Sequence, residues 1–442
     1  MTRWWPFGLA LAAAGVAGVV LDQTRGLLDL EVYRYGGRAA LDGLPLYGGR
    51  DPVTDLPFTY PPVAALLMAP LAVLPGVVAS SLWTVLSVGA LVAVVGIAVG
   101  EVGRRVRGPG PRDPASSGLG RSAARRRSVV ARFFGRGAGA SSRNRPEGAG
   151  SRDPGWACRP SSAAAVVGVA AACVVLEPVW LTLAFGQVNL LLMLLVVVDL
   201  LVPDRRWAGV LVGLAAGIKL TPLVFVVMLV LVGRRTAAGR AVGAFLVTVA
   251  VGFVVLPGTA WVFWSEAISD PGRVGGPAYA GNQSVYGALA RLLDGEPPRV
   301  LWVAVAGVLA VGVLVVAARV WRSGDRVLGT GLAGLSMLVA SPISWTHHWV
   351  WALLVGVALV ARSWRWGLAW AAVFVAAPGW WFPHGAEREH DWGLAAHVVG
   401  NAYLLAALVV AAWAAWWVRP GSGGRGRDAV TGVDREHALD GA

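Results

Sequence analysis

The sequence predicts an all-α polytopic membrane protein with roughly 10–13 membrane helices, some short or re-entrant. Three observations carry this. Hydrophobic residues make up 56% of the 442-residue chain and charged residues only 14%, where a soluble domain has roughly 25% charged. Mean hydropathy is +0.62. Apolar runs of membrane length recur along the chain as far as position 418.

In order, the apolar segments are 4–21, 61–76, 78–99, 162–177, 181–202, 207–218, 221–232, 239–256, 300–319, 328–344, 348–361, 365–379 and 394–418. The first run, Trp4 to Leu21, lacks a clear small-x-small cleavage site and reads as a retained span. Several later runs are shorter than the ~20 residues a full crossing needs. The stretch 207–232 lies between Arg205-Arg206 and Arg234-Arg235 and contains Gly217-Ile218-Lys219-Leu220-Thr221-Pro222. Two half-length helices meeting at a proline suggest a re-entrant or broken pair, whose irregular backbone must be shielded by protein or line a cavity.

The net charge of +13 is uneven. Residues 101–160 hold 14 arginines against Glu101, Asp113, Glu147 and Asp153, which accounts for +10 of it. The segment is rich in Gly, Ser, Pro and Arg and has almost no apolar periodicity, so it reads as a disordered insertion beside anionic lipid. Arginines without interleaved aromatics or a fold do not indicate specific nucleic-acid binding. The tail 419–442 is polar, and its four arginines balance Asp428, Asp434, Glu436 and Asp440. This divides the chain into N-terminal membrane segments (1–100) with a first loop at 22–60, the insertion (101–160), C-terminal membrane helices (161–418) with a loop at 257–299, and the tail.

Arginine placement orients the second half. The turns Pro203–Arg206, Gly233–Arg240, Arg319–Arg326 and Ala361–Arg365 would be cytoplasmic. The loop 257–299, the turn near 343–347 and residues 380–393 would face the other side. Arg3 puts the N-terminus inside and 22–60 outside. The side of the insertion stays open: two full crossings by 61–76 and 78–99 would put it outside, and a partial crossing by 61–76 would put it inside.

The outward loops hold the polar candidates. Asp29 and Glu31 would share one side of a strand but lie about 200° apart on a helix, so only the extended form would aim both into one site. They are either solvated interfacial charges or a base at the mouth of a membrane cavity. Lys219, the only lysine, is either snorkelling or paired with an anion, because a buried ammonium is costly alone. His347-His348 fit hydrogen bonding to phosphate or sugar better than a metal: adjacent imidazoles rarely chelate together and no H-E-x-x-H is present. Gln187, Asn189, Asn282 and Gln283 are amides able to bind hydroxyls. Cys158 and Cys173 form no Cys-x-x-Cys pattern. Neither a nucleotide-binding loop nor a G-x-S-x-G signature occurs, which disfavours a nucleotide-fuelled pump.

Taken in order, Asp29-Leu30-Glu31-Val32-Tyr33, Gly43-Leu44-Pro45-Leu46-Tyr47, Phe58-Thr59-Tyr60-Pro61-Pro62, Gly186-Gln187-Val188-Asn189, Lys219-Leu220-Thr221-Pro222 and Asn282-Gln283-Ser284 form a specific set. The chain resembles, over roughly 1–100 and 161–418, the actinobacterial polyprenyl-phosphate-dependent glycosyltransferases of the GT-C class, family 87. That family includes mannosyltransferases that elongate phosphatidylinositol mannosides and related arabinofuranosyltransferases. The insertion 101–160 departs from the family's usual short connection.

The resemblance implies a GT-C-like fold and an inverting transfer of a sugar, mannose first, from a polyprenyl phosphate to a hydroxyl of a glycolipid or glycan acceptor. It implies a multi-pass protein of the cell membrane with its site on the extracytoplasmic side. The family's base is an aspartate in an Asp-x-x-Val-Tyr pattern, here Asp29, with Glu31, Tyr33 and Tyr60 as secondary acid/base or acceptor-binding candidates. A late histidine of the family matches His347 or His348, and Lys219 fits its Lys-x-x-Pro pattern. Together with Arg273 these are the candidates for the donor phosphate; Gln187, Asn189, Asn282 and Gln283 are those for sugar or acceptor. No metal and no other cofactor is expected. The competing expectations are an arabinofuranosyltransferase and a lipid-linked sugar transporter or flippase.

Overall fold

The computed structural model describes residues 26–107, 163–203 and 206–418, together with the single position 13. The expected first span, the insertion from 108 onward and the tail lie outside the described residues. Among those described, the chain is helical, without strands; one isolated bridge joins Asn282 and Trp345. This is what a chain in hydrocarbon must do, since a helix satisfies every backbone group internally.

The first loop is more ordered than expected. Its motif opens α1 (Leu28–Asp42), with Asp29 and Glu31 in the first turn, where carboxylates complement the positive end of the helix dipole. Leu30, Tyr33 and Gly37 lie on its buried side. That side lies against α2 (Pro62–Val73), a 12-residue helix with Pro at its first turn. A Cβ on Gly37 would come within 2.9 Å of the Met68 and Ala69 backbone, so only glycine permits this approach.

At 12 residues, or about 18 Å, α2 is too short to cross. The helix long and apolar enough to cross here is α3 (Gly76–Arg107, 32 residues). Near its end Arg105 pairs with Asp325, which also pairs with Arg362. The described end of α3 therefore lies among the other arginine-rich turns.

Next come α4 (Ala163–Cys173) and α5 (Glu177–Phe185), bent by 87°, and α6 (Asn189–Leu201). Then α7 (Val210–Ile218), a 3-10 turn at Thr221–Leu223 and α8 (Val224–Leu231) form the re-entrant hairpin. Both its ends lie at the arginine-rich end: Arg240 donates to the Ala208 carbonyl and Arg322 to that of Leu231. α7 has no side-chain cap of its own. Instead Asp199, buried near the end of α6, accepts from the Gly209 and Val212 N–H groups at 2.6 and 2.9 Å. A cap of this kind contributes about 1 kcal/mol.

The remainder is α9 (Arg235–Val255), α10 (Pro257–Ser265), α11 (Val285–Leu292), α12 (Arg299–Arg322), α13 (Arg326–Ala340), a 3-10 stretch at Thr346–Trp351, α14 (Ala352–Val360), α15 (Trp364–Ala376), α16 (Leu394–Gly400) and α17 (Ala402–Trp417). Three described helices are long and apolar enough to cross a membrane: Gly76–Val106, α9 and α12. The bent pairs α4–α5 and α16–α17 bring the number to five if each is one span. Several expected spans are instead half-length apolar helices such as α6 and α13, because polar motifs interrupt them at the cavity. Val254, Val300 and Val308 are more than 70% exposed, which suits side chains that face lipid.

Candidate active site

A cavity of about 1440 Å³ opens at the end of the bundle away from the arginine-rich turns. It exceeds the ~300–1,000 Å³ usual for small-ligand sites, leaving room for two substrates. Its walls come from α1, the α5–α6 turn, the re-entrant tip, loop 257–299, residues 341–348 and Trp380. The two long loops meet there: Arg273 donates to the Tyr47 carbonyl at 3.0 Å, and the Tyr47 and Phe263 rings lie 5.4 Å apart.

Because the Asp29 motif is helical, its two carboxylates diverge. Asp29 lines the cavity. Glu31 does not reach it and bonds Arg34 at 2.9 and 3.2 Å; Arg34 in turn donates to the Leu71 and Leu74 carbonyls at the end of α2. Glu31 therefore clamps α1 to α2 and stands outside the cavity wall. Burial raises the Asp29 carboxyl to about 7, against a hydrogen bond from Gln187 and the charge of Lys219, which both favour its ionised form.

Behind Asp29 sits a small hydrogen-bonded network. The Tyr33 hydroxyl accepts from the Val188 N–H at 3.2 Å, donates to Gln187 Oε1 at 3.0 Å and lies 3.0 Å from the Tyr60 hydroxyl. Gln187 Nε2 reaches Tyr60 Oη at 3.3 Å. Trp83 fixes the turn by donating to the Gly186 carbonyl at 2.6 Å. Burial first, and the Asp29 charge after it, push the Tyr60 phenol well above its usual value; burial likewise raises Tyr33. Both are neutral hydrogen-bonding groups. Tyr60 and Gln187 line the cavity, whereas Tyr33 stands behind the wall.

Lys219 sits at the helix break, extended at φ −147° and ψ 129°. Its Nζ lies 3.3 Å from Asn189 Oδ1, 3.1 Å from His348 Nε2 and 5.8 Å from the Tyr60 ring centroid. Asn189 Nδ2 and Thr182 Oγ1 donate to the His347 carbonyl at 2.9 and 2.8 Å, which holds the histidine turn. The His347 ring meets that of His348 edge-on at 4.6 Å, and its Nε2 is buried without a hydrogen-bond partner. Both histidines line the cavity.

The structure thus brings together Asp29, Tyr60, Gln187, Asn189, Lys219, His347 and His348. Arg273 also lines the cavity, its guanidinium 5.3 Å over the Tyr47 ring and bonded to two backbone carbonyls. Asn282 and Gln283 are not in the wall. Asn282 donates to the Pro277 and Pro342 carbonyls and accepts from Ser284 and Ser344 N–H groups. Gln283 donates to the Ala280 and Gly400 carbonyls and accepts from the Tyr403 N–H. Every amide group there is bonded to backbone, and the two side chains hold the loop to its neighbours.

Sequence reasoning missed Glu177. It is buried, lines the cavity, and accepts from Trp380 Nε1 at 2.9 Å and Tyr403 Oη at 3.1 Å. An acid between two apolar runs is a functional signal in itself. Among the described residues, no three His, Cys, Asp or Glu side chains gather as metal ligands do.

The family model for glycosyltransferase family 87 matches residues 58–342. A polyprenol-phosphate-mannose-dependent alpha-(1-2)-phosphatidylinositol mannoside mannosyltransferase of Mycobacterium tuberculosis is 34% identical over 374 residues, covering 82% of this chain and 76% of that protein. Its namesake in Mycolicibacterium smegmatis is 34% identical, over 85% and 79%. A polyprenol-phosphate-mannose-dependent alpha-(1-2)-phosphatidylinositol pentamannoside mannosyltransferase of Mycobacterium tuberculosis is 32% identical, over 88% and 81%. No solved structure matches significantly. The chain belongs to glycosyltransferase family 87.

Proposed function

We propose that this chain transfers mannose from a polyprenyl phosphate to a hydroxyl of a phosphatidylinositol mannoside, with inversion, on the extracytoplasmic side of the cell membrane. The observation that carries the reading is the placement of Asp29 in one cavity with Lys219 and the histidine pair. The printed names of the relatives favour mannose over arabinose and an enzyme over a carrier. Arginine placement favours the sidedness. The cluster of Arg105, Asp325 and Arg362 lies at the start of α13, and that helix reaches the cavity roughly 22 Å further on.

Asp29 serves as general base. Its Oδ takes the proton of the acceptor hydroxyl while that oxygen forms a bond to the anomeric carbon. The bond from that carbon to the phosphate oxygen breaks, and its electron pair leaves with the phosphate. One displacement inverts the centre, so a β-linked donor gives an α-linked product. A carboxyl poised near 7 accepts a proton effectively at neutral pH.

Lys219 and the two histidines surround the leaving phosphate. Their charge and hydrogen bonds stabilise the negative charge that builds up there. The unpartnered Nε2 of His347 supplies one such bond, and Lys219 supplies the charge, held in place by Asn189 and His348. Gln187 orients Asp29, with Tyr60 and Tyr33 holding Gln187. The apolar lining residues Phe263, Ile268, Trp302 and Leu338 suit the prenyl chain.

The test is purified protein in lipid, incubated with mannosyl and arabinosyl polyprenyl phosphates and a phosphatidylinositol mannoside, with products read by mass spectrometry. A mannosylated acceptor is expected. An arabinosylated product, or donor that is moved without being consumed, would contradict the proposal.

A further inference from the structure

The cavity has a second polar region that the proposed chemistry does not use. Three aromatic side chains from three separate segments line it: Tyr279, Trp345 and Trp380. The Tyr279 ring lies 6.0 Å from Trp345 and 5.8 Å from Trp380, at interplanar angles of 69° and 61°. Rings set edge-to-face do not cover one another's faces completely, and Tyr279 stays 38% exposed. Glu177 anchors this wall. It accepts from the Trp380 indole at 2.9 Å and from the Tyr403 hydroxyl at 3.1 Å, and it is also hydrogen-bonded to Thr346. Thr346 directly precedes His347, so the aromatic wall is tied to the histidine turn through one buried carboxylate.

We infer that Tyr279, Trp345, Trp380 and Glu177 form a binding subsite for the sugar residues of the acceptor that precede the reacting hydroxyl; this rests on the transferase reading above. A pyranose ring has apolar C–H faces and a rim of hydroxyls. Aromatic faces take the first, and the Glu177 carboxylate, which has about four acceptor sites and three partners here, keeps capacity to accept one hydroxyl of the second. The wall is unsuited to a prenyl chain, because it places a carboxylate and an indole N–H among its rings. It is also distinct from the Lys219 cluster, where the donor's phosphate belongs. Its residues come from loops, turns and the first turn of α5 at the open end of the bundle, where a glycolipid headgroup would enter.

The experiment is saturation-transfer NMR and calorimetry of the full-length protein in detergent with a mannose trisaccharide, which needs no donor and no turnover. Parent, Trp345→Leu, Trp345→Phe and Lys219→Met are compared, with polyprenyl phosphate binding measured on each. The parent should bind the trisaccharide, and Trp345→Leu should bind it about tenfold more weakly, a change of ~1.4 kcal/mol. Trp345→Phe, which keeps an aromatic face, should recover most of that affinity. Trp345→Leu should keep its polyprenyl phosphate affinity, which also shows that it is folded. Lys219→Met should bind polyprenyl phosphate more weakly, by roughly 10–100-fold, and keep the trisaccharide. No binding by the parent, or equal binding by Trp345→Leu, would overturn the subsite. So would a Trp345→Leu protein that loses polyprenyl phosphate alone, since the wall would then serve the lipid. A parent that binds trisaccharide but never consumes donor would leave the subsite standing and refute the transferase reading.

Discussion

Lys219 Nζ lies 3.1 Å from His348 Nε2 and 3.3 Å from Asn189 Oδ1 at the tip of a re-entrant hairpin. A single ammonium is thus held at the depth where α7 stops and the 3-10 turn begins. Helix breaking at Pro222 and charge placement at Lys219 are one device: the break supplies the extended backbone that lets the side chain enter the cavity.

Removing that charge should act on the donor. Lys219→Met is expected to weaken polyprenyl phosphate binding and slow turnover, by roughly 10–100-fold in kcat/KM, or about 1.4–2.7 kcal/mol. His347→Ala should lower kcat more than it raises donor KM, because its free Nε2 serves the departing phosphate. His348→Ala should follow Lys219→Met, since it positions the ammonium. Steady-state kinetics in one lipid checks all three. A His348 variant that tracks His347 instead would show that the two rings share one task.

The pH profile should report Asp29. Burial raises its carboxyl to about 7, and the base works ionised. Activity should therefore climb as pH rises through about 7 and fall again at higher pH, where Lys219 gives up the proton whose charge holds the donor phosphate. A profile already flat at pH 5 would mean an ordinary carboxylate range for the base.

Stability should move the other way. A carboxyl raised in the folded state holds its proton to higher pH than in the unfolded chain, so folding stability falls as pH rises from about 4 towards 7. Asp29→Asn should then raise Tm at pH 8 and change it little at pH 4. Glu31→Gln should lower Tm, because it breaks the bond to Arg34 that joins α1 to the end of α2. Thermal melts of the three proteins at both pH values decide this.

Sidedness is open to a labelling test. With Cys158 and Cys173 removed, Thr54→Cys and Ser265→Cys should both react with a membrane-impermeant reagent from outside intact cells, and Ser323→Cys should not. Thr54 and Ser265 labelled from opposite faces would contradict the meeting of their loops through Tyr47, Phe263 and Arg273.

Much of this was readable in the chain. Apolar runs announce the fold class, and Lys219-Leu220-Thr221-Pro222 between paired arginines announces the hairpin. Other features were not readable, for physical reasons. Asp29-Leu30-Glu31 alternates in a way that suits a strand or a helix turn, and only packing of Leu30, Tyr33 and Gly37 against α2 decides for helix. Asn282 and Gln283 are amides like Gln187 and Asn189. Nothing local tells that their partners are carbonyls at Pro342 and Gly400. Glu177 becomes a cavity residue only when α17 brings Tyr403 beside it.

The central claim is that Asp29 deprotonates the acceptor. The most direct measurement is the single-turnover rate of Asp29→Asn, taken alongside its donor affinity and beside Glu31→Gln in the same lipid. The substitution keeps size and hydrogen bonding and removes the proton acceptor, so the rate should fall about 10²–10⁴-fold while donor affinity changes little; Glu31→Gln should turn over near the parent rate. An Asp29→Asn protein that turns over like the parent, with or without loss in Glu31→Gln, would contradict the assignment.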